Sequence, residues 1–291
     1  MKPLLILAPS PSRWQAAEQL LSHEQQPWLD DLRVRLSEGA EGGQDALAVV
    51  PDGSRYLASA CIRRRHDVGV LGHLFTIPGQ RRCGHARSLL QALLSWFDMS
   101  GGKWLYLTSP REVAEGVFEK FGFKVLHRSG NENDSRATML RTPAHVGNSP
   151  FETLSGQVDI RVATRADWAL MVALLQHYGG SDPRIALEES ALAAEATALE
   201  LITQQHQGTC HLMVAWRQKR IIGFGSVATD QTSERTYAML LPHDQPPDGL
   251  REALVDFARA RDYRQVHFPM EALARASRES SSVVTDDAAP P

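Results

Sequence analysis

Apolar positions recur along this chain with two different periods, and the switches between them mark out its elements. Leu4 to Ala8 is a short apolar run that predicts a strand. Pro9-Ser10-Pro11-Ser12 is a turn, with Ser12 placed to cap a helix over 13–22. A second helix is expected over 28–36, ended by Gly39. Residues 45–50 and 56–62 predict two strands around Pro51-Asp52-Gly53-Ser54, and 68–77 a third. Leu89, Leu90, Leu93, Leu94 and Phe97 then fall on one face of a helix, which Gly101-Gly102 ends. A strand at 104–108, a helix at 110–121 stopped by Gly122, and an antiparallel pair at 123–127 and 137–141 complete this half.

The pattern then restarts. Residues 142–157 are rich in Pro, Gly, Ser and Asn and predict a linker. A strand at 159–162 leads to Thr164, which can cap a helix to Gln176 with Asp167 at the third position. A long helical region is expected over 188–205. Strands follow at 211–216, 221–229 and 236–241, then a helix at 249–261 and a strand at 266–270. This order mirrors the first half and predicts a duplicated fold. The expected organisation is a domain over 1–145, a linker over 146–157, a second domain over 158–275 and a disordered tail over 276–291.

Composition narrows the function classes. The 291 residues suit two domains of ~100–200 residues each. Hydrophobic residues make up 43% and charged residues 22%, so each half can build a core. Net charge is −3, with 31 basic and 34 acidic residues, which offers no electrostatic reason to expect nucleic acid or an anionic membrane. The apolar start is shorter than the ~7–15 residues of a secretory core, and no run approaches the ~20 needed to span a bilayer. Cys61, Cys83 and Cys210 are far apart and form no CxxC or Cys/His cluster. Neither a disulfide framework nor a metal site is expected, and a reducing cytoplasm fits best.

The chemistry concentrates after the third strand, at Ile77-Pro78-Gly79-Gln80-Arg81-Arg82-Cys83-Gly84-His85-Ala86. Small residues at Gly84 and Ala86 let the backbone approach a ligand closely. The helix that follows has first-turn N–H groups with no intrahelical partner, and these favour an anion. Arg81 and Arg82 add positive charge, so the loop reads as a pyrophosphate cradle built mostly from main-chain donors. Cys83 reads as a small filler, not a nucleophile. Arg63-Arg64-Arg65-His66 reads as a solvated hairpin end, with attraction of an acidic group as the alternative.

Arg81-x-x-Gly84-x-Ala86, with Ile77-Pro78 before it and Leu89-Leu90 after it, resembles the acyl-CoA-binding motif of the GNAT superfamily of N-acetyltransferases. Ala114-x-x-Val117-Phe118-Glu119-Lys120-Phe121-Gly122-Phe123 is similar to the family's late helix, at the expected distance. The resemblance covers essentially all of 1–145. It implies an α/β (α+β) fold of two tandem GNAT-like domains, each a mixed, mostly antiparallel sheet flanked by helices. It also implies acetyl-CoA, or another short acyl-CoA, as cosubstrate, with pantetheine along Phe75-Thr76-Ile77. The pyrophosphate would lie on Arg82, Cys83, Gly84, His85, Ala86 and Arg87, beside Arg81. Arg111 stands where the family often has an asparagine touching pantetheine.

The implied reaction is direct attack of an amine on the thioester, with a backbone N–H stabilising the oxyanion. His73 is the expected base, four residues before Ile77. Phe118 occupies the family's usual tyrosine position and has no proton to give; either water protonates the thiolate, a fair leaving group, or Tyr106 or Ser109 on the adjacent strand substitutes as acid. In the second half, Ile160-Arg161-x-Ala163-Thr164-x-x-Asp167 resembles the family's opening. Its loop, 241–250, lacks the arginine-glycine motif and carries Asp244, Asp248 and prolines. A degenerate copy that does not bind acyl-CoA is expected, packing against the first domain and shaping the acceptor pocket; Trp168, His177, Tyr178 and Gly179-Gly180-Ser181-Asp182 read by default as core and loop residues, with lining of that pocket as the alternative. The leading expectation is an N-acyltransferase acting on a small-molecule or peptide amine, as a monomer or homodimer. The alternative is a non-catalytic acyl-CoA-binding or regulatory module.

Overall fold

A computed structural model describes residues 2–22, 24–129, 135–144, 146–147, 149–151, 154–178, 193–230, 235–241, 247–261 and 266–267. The helical region expected from 188 is described from Ala193 onward. The loop at 179–182, residues 242–246 and the tail lie outside the described residues.

The chain divides into two compact units. The first holds Met1–Ser155, Thr164–Ile202 and Gln218–Ile221, and the second holds Gly156–Ala163, Thr203–Arg217 and Ile222–Pro291. The division does not follow the 146–157 stretch: the segment after Thr164, expected in a second domain, belongs with the first.

The first unit is built on a seven-stranded sheet. Its strands are β1 (Leu4–Leu7), β2 (Gly43–Asp52), β3 (Arg55–Arg65), β4 (Val68–Thr76), β5 (Trp104–Pro110), β6 (Lys124–Ser129) and β7 (Arg136–Arg141). Their order is β1-β2-β3-β4-β5-β7-β6, antiparallel throughout except for the parallel pair β4–β5. Helices α1 (Trp14–Leu20) and α2 (Gln26–Glu38) cover one face, while α3 (His85–Met99) and α4 (Arg111–Gly116) cover the other. The predicted stripe on α3 is buried as expected, with Leu89, Leu90, Leu93 and Phe97 fully enclosed. At roughly 1.5–3 kcal/mol for each large apolar side chain, this face contributes on the order of 10 kcal/mol before entropic costs. That packing holds the start of α3 in place against the sheet.

Two further helices belong here: α5 (Trp168–Tyr178), and the first part of α6 (Ala193–Gln207). The capping box predicted at Thr164 is present, with the Thr164 N–H donating to Asp167 at 2.7 Å. Every residue of α5 from Trp168 to Gln176 is buried, so the helix is wrapped on all sides. Its entry is clamped by an ion-pair network. Arg35 meets Asp31 (3.0 Å), Asp45 (2.9 Å) and the Arg165 carbonyl (2.7 Å), while Arg63 and Arg165 also reach Asp31. Burial pushes the Asp31 carboxyl up, but the three guanidiniums outweigh it and hold the group below its usual range. Arg63 is therefore not part of a solvated hairpin end. It is 2% exposed and stacks over Trp168 at 4.5 Å. Arg65 likewise pairs with the buried Asp167.

The second unit contains most of a five-stranded sheet, ordered β12-β11-β10-β9-β8. These are β8 (Asp159–Val162), β9 (Cys210–Arg217), β10 (Arg220–Asp230), β11 (Arg235–Leu241) and β12 (Val266–His267), with helix α7 (Leu250–Ala260). β8–β9 and β10–β11 are antiparallel and β11–β12 is parallel, the same senses as β1–β2, β3–β4 and β4–β5. Leu250, Leu254 and Ala258 of α7 pack with Ala215 and Val227 in its core.

Candidate acyl-CoA cleft

The parallel strands β4 and β5 pair only over Val68–Val70 and Trp104–Tyr106. Beyond that point they are not bonded to each other, and the rest of β4 is paired on one side only. The opening begins where β4 carries a bulge. Cys61 pairs with Gly72 and Ser59 with Phe75, so His73 and Leu74 together face Ala60. His73 takes up the extra residue with a left-handed φ of 51°. Such a conformation at a non-glycine residue costs about 1–3 kcal/mol.

The bulge changes which side chains face which way. Leu71, before it, packs in the core under α3. After it, Leu74 packs there and Phe75 packs with α1 and α2. An extra residue inverts the alternation of a strand, as a one-residue slip does. Leu74 and Thr76 thus line a cleft of about 900 Å³ on the α3 face. The cleft continues over Gln80, Arg81 and Arg82, past Gly84 to Arg87, and is closed by Val113, Gly116, Val117, Lys120 and Phe121. A short 3-10 turn at Pro78–Gln80 delivers the loop.

At the floor of this cleft α3 begins. Gly84 is its N-cap in left-handed geometry (φ 81°), and the Ser88 N–H to Gly84 carbonyl bond, at 3.1 Å, is the first of the helix. The N–H groups of His85, Ala86 and Arg87 consequently have no intrahelical acceptor. A Cβ on Gly84 would meet nothing within 4 Å, so the space beside this backbone is open. Arg82 also has positive φ (63°), and alternating left- and right-handed residues turn successive N–H groups toward one concavity. His85 is only 7% exposed, and its Nε2 has no hydrogen-bond partner among the described residues. The donor set, the three arginines and the free imidazole nitrogen fit a phosphate-bearing ligand.

Of the residues expected to hold acyl-CoA, Thr76, Arg81, Arg82, Gly84, His85, Ala86 and Arg87 are walls of the cleft. Phe75, Ile77, Cys83, Arg111 and Phe118 are not. Phe75 is turned to the other face by the bulge. Cys83 is exposed beside the loop with its thiol toward the Arg81 carbonyl. Arg111 points along α4 to Glu115 at 2.8 Å and is 54% exposed. Phe118 is buried edge-on to Phe123 in the core. The cleft residues Val113 and Gly116 were not singled out from sequence, whereas Val117, Lys120 and Phe121 were named in the late-helix motif.

Two of the expected catalytic side chains, His73 and Tyr106, lie on the opposite face of the sheet. His73 packs edge-on to Trp28, with Nδ1 3.1 Å from Glu24 and Nε2 3.4 Å from Arg63. A guanidinium only donates, so Nε2 is the acceptor and Nδ1 carries the hydrogen toward Glu24. His73 in this arrangement has no spare lone pair with which to act as a base. Tyr106 is fully buried, with its hydroxyl 3.3 Å from His177 Nδ1, and His177 Nε2 is 3.1 Å from the Ser149 hydroxyl. Ser109 is buried on β5. Trp168 stacks edge-on to Trp28 and is 2% exposed, a core role and not a pocket wall. Among the described residues no three His, Cys, Asp or Glu side chains are gathered as metal ligands would be. No helix among them is long and apolar enough to cross a membrane.

No curated protein matches the sequence. Solved structures align over about half of the chain. An acetyltransferase of the GNAT family from Staphylococcus aureus Mu50 (16% identity, TM-score 0.37) covers 48% of this chain and 98% of its own. Escherichia coli ElaA (16%, 0.39) covers 48% and 99%. The PaiA N-acetyltransferase of Thermoplasma acidophilum, determined in complex with coenzyme A (12%, 0.35), covers 49% and 100%. Residues 13–123, which include β4, the loop and α3, match the family described as Acetyltransferase (GNAT) family, and the domain built around the cleft belongs to that family.

Proposed function

We propose that this protein transfers an acetyl or other short acyl group from acyl-CoA to an amine by direct attack. The observation that carries the reading is the start of α3. Three free N–H groups, Arg81, Arg82 and Arg87 converge on an open cleft whose other wall is a strand edge without a partner. Diphosphate suits the first part, through charge and main-chain donors. An extended amide-bearing chain suits the second, because β4 beyond Val70 can pair with it as a strand would. Acyl-CoA supplies an activated thioester; the chain's part is to bind it, orient it and receive the amine from the β5 side.

The second unit is proposed to be a degenerate copy of the same fold. Its sheet order and pairing senses support this, as does the replacement of the arginine-glycine loop by 241–250. One observation favours the rival reading of an acyl-CoA-binding module without catalysis. Phe118, where the family's acid would stand, is buried against Phe123 and offers no proton.

Thermal unfolding with and without acetyl-CoA tests the binding half: a ligand that binds only the folded state at 100 times its Kd adds about 2.7 kcal/mol. Thiol release across a panel of primary amines tests the transfer. Stabilisation without release from any amine favours the binding module, and no stabilisation rejects both.

A further inference from the structure

The opening between β4 and β5 has a second side. Along β5, Leu105 and Leu107 point into the core under α3. The intervening Tyr106 and Thr108 therefore point to the opposite face. There Gln176 of α5 donates from Nε2 to the Thr108 hydroxyl at 2.9 Å and to Glu195 Oε1 at 3.4 Å. Thr108 lies two residues beyond the last bonded pair of the parallel strands, at the opening itself. Glu195 is thus one amide away from the gap, on the side opposite the phosphate-binding loop, and it comes from outside the region that matches the family.

This carboxyl is unusual in its setting. Glu195 is 8% exposed. Burial raises its pKa to about 7, with Arg63 opposing, Glu24 adding to the rise, and Arg136 and Gln176 opposing. Cys61 of β3 also feels its charge. Beside it, the Gln176 Oε1 atom is buried without a hydrogen-bond partner among the described residues, in a side chain only 2% exposed. A buried acceptor left unsatisfied is rare and calls for a donor. A primary ammonium brings three.

We propose that Glu195 is the proton acceptor for the incoming primary amine and that the Gln176 carbonyl steers its nitrogen. The inference rests on the acyl-transfer reading above. The ammonium gives one proton to the Glu195 carboxylate. The freed lone pair forms the C–N bond at the acyl carbon, the C–S bond breaks, and its electron pair leaves on sulfur. The second nitrogen proton passes to the thiolate, and Glu195 returns its own to solvent. His73 does not fill this role, because Nε2 already accepts from Arg63.

The test uses the full chain as wild type, Glu195→Gln, Glu195→Asp and His73→Gln. Acetyl-CoA-dependent thermal shift reports binding. Thiol release from acetyl-CoA, with a panel of primary amines and with water alone, reports transfer between pH 5 and 9. The wild-type rate should rise through a pH of about 7. Glu195→Gln should keep the thermal shift, lose that rise and slow release about 100-fold or more. Glu195→Asp should recover part of the rate, and His73→Gln should keep the rise. A wild-type pH profile in Glu195→Gln overturns the assignment. So does a wild type that binds acetyl-CoA yet releases no thiol with any amine or with water. Loss of the thermal shift in wild type itself instead overturns the acyl-CoA reading beneath it.

Discussion

Two helices in this molecule start in the same way and meet different surroundings. α3 begins at Gly84 (φ 81°) and α7 begins at Gly249 (φ 80°), each glycine a left-handed N-cap. Both carry a helix dipole, but α3 frees three N–H groups, whereas at α7 the Leu250 N–H already donates to the Pro247 carbonyl at 3.1 Å. A Cβ on Gly84 would enter open space, whereas one on Gly249 would meet Ile160 Cδ1 at 3.2 Å. The residues before Gly84 include Arg81 and Arg82; those before Gly249 are Pro247 and Asp248. A helix N-terminus alone does not make an anion site. Open space and positive charge must be added, and here only the first start has both.

Substitutions at these positions can break the comparison. The largest effect is expected from Gly84→Glu, which sends a negative side chain into the space where phosphate would lie. Acetyl-CoA binding should weaken at least 100-fold, or about 3 kcal/mol, in a calorimetric titration. Binding within tenfold of wild type would mean that the cradle is elsewhere. Next comes the pair Arg81→Ala with Arg82→Ala, expected to cost roughly 1–3 kcal/mol of binding through lost charge-assisted contacts. The difference from wild type should shrink as salt rises from 50 to 500 mM; a salt-independent loss would point to loop distortion. Gly249→Glu should leave acetyl-CoA binding unchanged and lower the melting temperature, since a left-handed side chain is strained and Ile160 is crowded. The smallest effect belongs to Gly84→Ala. It keeps the charge and adds one methyl, so the expected cost is about 1 kcal/mol in stability and less in binding.

Much of this was legible in the residues. The apolar stripe on α3, the turn at 51–54, the Thr164 cap and the arginine-glycine spacing each have a local physical cause, and each lies in the structure where the pattern put it. The bulge was not legible. Nothing in Gly72-His73-Leu74 announces an extra residue, because the left-handed turn is taken by a histidine and not by a glycine. That one residue sends Phe75 away from the cleft and His73 to the Glu24 side. Arg63-Arg64-Arg65 misled for another reason: a charge run at a hairpin end is usually solvated, and only the fold brings Asp31 to Arg63 and Asp167 to Arg65. Glu195 was invisible for the same cause, since 87 residues separate it from Thr108 in sequence while only Gln176 separates them in space.

The central claim is that the start of α3 is a working acyl-CoA cradle. Isothermal titration of the full chain with acetyl-CoA, run beside Gly84→Glu and Gly249→Glu, tests it most directly. The account predicts saturable one-site binding in wild type and Gly249→Glu and none in Gly84→Glu. A wild type that neither binds acetyl-CoA nor gains thermal stability from it would contradict the account.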